Sequence, residues 1–295
     1  MKRLALVLAA GATSAMLLAS CGGSGSPPAS VGQLLTSTGT SSNVQLVFSF
    51  NFTGAGSQKA GPIARALSIK VDLASQGGKA ISKSLKSLNF DVSLQVKGST
   101  AAELRWVGSK VYVEPTWATI AKIPGLSAAE AGEMGAAGEF LGDKWFEIDP
   151  SLLSSLEKSK SVSKETSLAN VAKVEEIGAI VGTYVEHLSH KKLSNGFTVS
   201  GTLKSADQAL YSALHAVDPS IKKPGHEPGS FTFTVTGSGS SASGITVSVT
   251  APNGKLGMAT GTLHVAISHN GTGVSAPSGA TVINEQLLQE LESGG

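Results

Sequence analysis

Apolar and polar residues alternate with a period of two through much of this chain, and that alternation predicts a protein built from β-strands. Val44, Leu46, Phe48, Phe50 and Phe52 fall on one face of a strand, with Gln45, Ser49, Asn51 and Thr53 on the other. Ile69, Val71 and Leu73 repeat the pattern, and so do Phe90, Val92, Leu94 and Val96. Leu104 and Trp106 lead through Gly108-Ser109 to Val111 and Val113, which predicts a hairpin. The run GDKWFEID sets Trp145, Glu147 and Asp149 against Phe146 and Ile148, in a strand stopped by Pro150. Further strands are predicted at 197–203, 231–235, 245–249 and 263–267. One apolar and one polar face is the pattern of antiparallel sheet with a core on one side.

Helical patterns are fewer. Asp149-Pro150 opens a predicted helix at 151–158, and Ser205-Ala-Asp-Gln208 has the form of a capping box ahead of 206–216. A third helix is predicted to begin at 168–173. The stretch 174–190 admits either a longer helix or a hairpin turning at Gly182-Thr183. Gly178, Gly182 and their β-branched neighbours favour the hairpin. The Ala/Gly/Glu-rich stretch 118–140 reads as a mobile helical excursion, and 284–292 as a small terminal helix or a frayed tail. Gly54, Gly56 and Gly61 read as loop glycines, because they lack the strand-turn-helix setting of a phosphate cradle.

The first residues follow a different rule. Lys2 and Arg3 precede an apolar run, 4–18, that carries no charge and is too short to span a membrane stably. It ends in Leu18-Ala19-Ser20-Cys21, which resembles the bacterial lipobox. The resemblance implies a signal peptide over 1–20, cleavage before Cys21, and lipid attachment to the Cys21 thiol. Cys21 is the only cysteine, so an intramolecular disulfide framework is excluded. Two or three acyl chains on one residue meet the requirement that stable anchoring needs more than one lipid. The expected location is the extracytoplasmic face of a membrane, with the chain held there by lipid alone. Residues 21–42 form a Gly/Ser/Pro-rich flexible tether, interrupted by the small apolar stretch 31–35. A folded domain over 43–284 and a tail over 285–295 complete the expected organisation.

Composition sharpens the class. Removing Lys2 and Arg3 with the signal leaves 21 of the 23 basic residues, against 21 acidic ones, so the mature chain is near neutral. No basic stripe with interleaved aromatics occurs, and a nucleic-acid partner is not expected. The chain has no Gly-x-Ser-x-Gly elbow, HExxH, Walker loop or CxxC. His187 and His190 are three apart and His264 and His269 five apart, spacings that place each pair on opposite faces of a strand. On a helix, His187 and His190 could ligate together, but a metal site would need a third ligand. Glu147 and Asp149 share a strand face and read as solvated carboxylates rather than an acid pair. No cofactor, metal or catalytic residue is therefore expected.

Three patches carry a family resemblance. GSKVYVEP (108–115), an apolar excursion and GDKWFEIDPSLL (142–153) resemble paired strands ending in a K-W-x-x-I/V-D segment. IGAIVGTYVEHL (177–188) followed by GFTVSGTL (196–203) resembles a glycine-punctuated hairpin and the strand after it. AISHNGTGVSAP (266–277) is similar to a closing strand with a proline-ended exit. Together they resemble the LolA/LolB-like superfamily, and within it the actinobacterial lipoproteins of the LppX/LprG type. Val185 and Glu186 depart from that pattern, as does the Gly/Ser-rich loop at 237–244.

The resemblance implies an α+β, mainly antiparallel fold: a half-open curved β-barrel with covering helices and an apolar hollow for acyl chains. On that reading Leu46, Phe48, Phe50, Val71, Leu73, Val92, Leu94, Trp106, Val113 and Phe233 line the hollow. The expected partners are the membrane, through lipidated Cys21, and a lipid or lipidated ligand; the chain itself is expected to be a monomer. The alternative is a non-enzymatic interaction or sensor lipoprotein whose sheet core is filled and which binds a protein partner.

Overall fold

A computed structural model describes residues 41–81, 87–149, 190–193, 196–204, 230–238, 241–252 and 256–284. The helices expected at 151–158, 168–173 and 206–216 lie outside the described residues. So do Cys21, the tether up to residue 40, residues 174–189 of the expected hairpin, and the tail beyond 284.

The strands are β1 (Asn43–Gly54), β2 (Leu67–Ser75), β3 (Leu88–Val96), β4 (Ser99–Val107), β5 (Lys110–Pro115) and β6 (Phe146–Ile148). They continue as β7 (His190–Leu193), β8 (Gly196–Lys204), β9 (Ser230–Ser238), β10 (Ser241–Pro252), β11 (Met258–Ser268) and β12 (Thr281–Ile283). Every strand foreseen from the alternation is present. They belong to one sheet in the order β12-β6-β5-β4-β3-β2-β1-β11-β10-β9-β8-β7. All pairings are antiparallel except that of β12 with β6. The protein is thus mostly antiparallel β with few helices, and among the described residues the sheet is not closed.

The path explains the order. From β1 the chain meanders outward to β6, and from the opposite edge, β7, it meanders inward to β11. The halves meet where β11 pairs with β1 over Gln45–Gly54 against Ala259–Ser268. Two tight turns follow their sequence chemistry. Lys97 (φ 51°) and Gly98 (φ 82°) both take the left-handed conformation that a two-residue hairpin favours, and Gly108 (φ 63°) starts the β4–β5 turn. After β11 the segment 269–280 passes β1 to β6 and delivers β12 to the outer edge beside β6. Gly271 fits there because a Cβ would meet the Val44 carbonyl carbon at 2.9 Å.

The core is centred on the joint between the halves. Val44, Leu46, Phe48, Val71, Val235, Ile245, Leu263, Val265 and Ile267 are buried together, with Ile81 and Ala242 closing one end. These are the even positions of β1 and the odd positions of β2 and β9–β11, as the period of two requires.

Three α-helices are described, with a short 3-10 turn at Gln76–Gly78. Helix α1 (Ser57–Ala66) corrects the reading of Gly61 as a loop glycine, while Gly56 stays in the turn before it. Gly54 ends β1, Gly56 (φ 77°) sits at the helix start, and Gly61 lies inside the helix. Gly61 and Pro62 read locally as breakers, but packing holds the helix on β1, and a Cβ at Gly61 would stand 2.7 Å from the Phe52 carbonyl oxygen. Helices α2 (Trp117–Ile120) and α3 (Ala128–Leu141) occupy the expected excursion. Ser127 and Glu130 close a capping box at the start of α3. Gly138 brings α3 against Trp117, where a Cβ would come within 2.7 Å of the tryptophan Cβ.

Candidate functional site

Reading the register across strands shows where each expected site residue lies. One row runs Val113, Leu104, Val92, Val71, Leu46, Ile267. A second runs Ala102, Leu94, Ile69, Phe48, Val265, Ile245, Val235. A third runs Phe50, Leu263, Val247, Phe233. A fourth joins Val44, Leu73, Phe90, Trp106 and Val111. Directly paired residues of antiparallel neighbours project to the same side of a sheet. All the expected lining residues therefore share one face, across strands more than 180 residues apart in sequence.

That face is not uniform. Leu46, Phe48 and Val71 are buried and belong to the core. Phe50, Leu73 and Val92 are half-buried and pack against it. Leu94 and Val113 are half-buried further out, and Trp106 is exposed at 39 %. Trp106 stacks on Phe90 with ring centroids 5.6 Å apart, and its Nε1 donates to the Gly108 carbonyl at 2.7 Å. Phe233 occupies its register position between Val247 and Gly201. The apolar face therefore has a filled centre and a partly open flank at Phe90, Val92, Leu94, Leu104, Trp106 and Val113, with Val96, Val111 and Phe146 buried beside it.

The reverse face is polar and carries a charge cluster that the sequence reading did not single out. Asp72, Asp91, Arg105, Tyr112 and Glu147 form one row across β2 to β6, and Ser93, Glu103 and Glu114 form the next. The Arg105 guanidinium binds both Asp91, Nε to Oδ2 at 3.1 Å, and Glu103, Nη2 to Oε1 at 2.6 Å. Its Nη1 donates to the Ser275 carbonyl at 3.4 Å, and the group lies 4.5 Å over the Trp145 ring. Asn89 Nδ2 donates to the neighbouring Val274 carbonyl at 3.2 Å. The 269–280 segment is thus strapped over this face by side chains from β3 and β4.

One guanidinium cannot neutralise two carboxylates, and the strap removes water from them. Burial, the hydrogen bond to Glu103 and the Glu103 charge push the Asp91 carboxyl up to about 7, against the pull of Arg105. Glu114 is raised in the same direction, first by burial and then by Glu103. Asp72 is buried and held by Lys70 at 3.0 Å and by Gln45 at 2.9 Å. Glu147 pairs with Lys110 at 2.7 Å, so it is a partner in a cross-strand ion pair rather than half of an acid pair with Asp149. The available signal for this cluster was the polar half of the same alternation, with Asp91, Glu103 and Arg105 at its odd positions.

His264 bonds to Thr246 on the polar face of β11 at 2.9 Å, and His269 lies beyond that strand against Ser41 and Ala242. His187, His215 and His226 lie outside the described residues, and His190 starts β7. Among the described residues no three His, Cys, Asp or Glu side chains gather as metal ligands, and no helix is long and apolar enough to cross a membrane. No protein-family model, curated protein or solved structure matches the chain.

Proposed function

We propose that the chain is a membrane-anchored, extracytoplasmic lipoprotein of the LolA/LppX-like class that binds or carries acyl chains without catalysing a reaction. Acylated Cys21 holds it to the bilayer, and the sheet curls as a half-open barrel whose apolar face, covered by helices, takes the ligand. The observation that carries this reading is the register: every expected lining residue falls on one face, and exposure rises from Leu46 and Phe48 to Trp106. The ligand-bearing part is the flank formed by Phe90, Val92, Leu94, Leu104, Trp106 and Val113, because the centre is already filled by protein side chains. Burying an acyl chain of about 16 methylenes at roughly 0.8 kcal/mol each gives a favourable transfer with no reacting group.

The filled centre favours, as a second reading, a sensor or interaction lipoprotein that binds a protein partner. Titration of the full chain with a fluorescent long-chain fatty acid separates the two. Saturable binding that unlabelled fatty acid displaces, and that Trp106→Arg weakens, supports the carrier. Fluorescence that rises without saturation, or ignores the competitor, leaves the interaction reading in its place.

A further inference from the structure

We propose that the strand ends where the tether joins the sheet form a docking rim for an anionic bilayer surface, with Trp106 at the lipid interface. The inference rests on the reading of Cys21 as the anchor. The tether is fixed to this end by a small hydrogen-bonded knot. Ser42 O accepts from Ser75 N at 2.9 Å, and Ser41 O accepts from Ile81 N at 3.0 Å. His269 Nδ1 lies 3.2 Å from the Ser41 hydroxyl, and its Nε2 lies 3.2 Å from the Ala242 carbonyl. A carbonyl only accepts, so Nε2 carries a proton towards Ala242 while Nδ1 shares a hydrogen bond with the Ser41 hydroxyl. The start of β1 is thereby tied to the ends of β2 and β11 and to the start of β10.

Trp106 belongs to the same end. It lies in the row that begins at Val44, and its bond to Gly108 leans the indole over the β4–β5 turn. The open flank of the apolar face therefore ends beside the tether. Charge follows the same geometry. Lys79 is exposed on the connection leaving β2, while the carboxylates nearest these strand ends, Asp72, Asp91 and Glu147, are paired with Lys70, Arg105 and Lys110. Lysines near an anionic leaflet each contribute about a fivefold gain in affinity, and tryptophan concentrates at the headgroup level. The opposite strand ends, with α1, α2 and Leu256, then stand away from the bilayer.

The test uses the mature lipoprotein reconstituted in vesicles of phosphatidylcholine, with or without phosphatidylglycerol, carrying a nitroxide on the lipid headgroup. The chain has three tryptophans, and Trp117 lies on α2 at the opposite strand ends, so it reports the reverse orientation. The proposal expects headgroup quenching that disappears in Trp106→Phe, is stronger with phosphatidylglycerol, and loses that lipid dependence in Lys79→Glu. Equal quenching of wild type and Trp106→Phe overturns the docking while leaving the anchor intact. Equal quenching on neutral and anionic vesicles overturns the anionic preference. A chain that leaves the vesicles when detergent is removed refutes the anchor itself, and the docking with it.

Discussion

Leu263→Ala probes the joint between the two halves of the sheet. Leu263 is 1 % exposed and lies in register between Phe50 on β1 and Val247 on β10, so its side chain contributes to the core where β11 pairs with β1. Truncation removes three carbons from a site walled by strands that are fixed on both sides by ladder hydrogen bonds. Little collapse is possible, and the cost falls in the middle of the usual range, about 3–4 kcal/mol. For a domain of this size that lowers Tm by about 6–16 °C. Urea denaturation followed by circular dichroism measures it as a lower midpoint at unchanged slope. Val113→Ala, half-buried on β5 near the outer edge of the same face, serves as the contrast and costs about 1 kcal/mol. A loss below about 1 kcal/mol for Leu263→Ala, or equal losses for both, refutes a filled centre grading into an open flank.

Asp91 predicts a pH dependence of definite sign. Its folded carboxyl titrates at about 7 instead of 3.8, so between those values the folded state holds more protons than the unfolded state. Tm therefore falls as pH rises from about 4 through about 7, and Asp91→Asn flattens that slope and stabilises the protein at neutral pH. Thermal melts across that interval check it, and a slope unchanged in the variant excludes Asp91 as its source. Gly54→Ala places a Cβ 2.5 Å from the Met258 carbonyl oxygen at a φ of 85°, so it destabilises by about 1–3 kcal/mol, read from the urea midpoint. A neutral result there means that β1 and β11 separate easily at Gly54.

How much of this was legible in the sequence follows from the range of the forces involved. Alternation is a local property, and β1 to β5 and β8 to β11 could be read directly because apolar residues recur at every second position of each. Their common face was legible too, since Val44, Leu46 and Phe48 declare it without knowledge of the partner strands. Helix α1 was not, because Gly61-Pro62 opposes helix locally and only packing on β1 overrides it. Strand β12 was missed because three residues carry too little pattern, and its pairing with β6 depends on a strap passing six strands. The Asp91–Glu103–Arg105 cluster was hidden for a related reason. Its residues look like ordinary solvated strand positions until the strap covers them.

The central claim is that the protein carries lipid in two distinct ways, covalently on Cys21 and non-covalently on the apolar face. Native mass spectrometry of the mature lipoprotein, followed by the same measurement after denaturation, tests both. The account predicts a chain beginning at Cys21 with an acyl-lipid mass that survives denaturation, plus a second acyl-lipid mass that is lost. A lipid-free native mass beyond the covalent adduct contradicts the carrier reading, and an unmodified Cys21 contradicts the anchor.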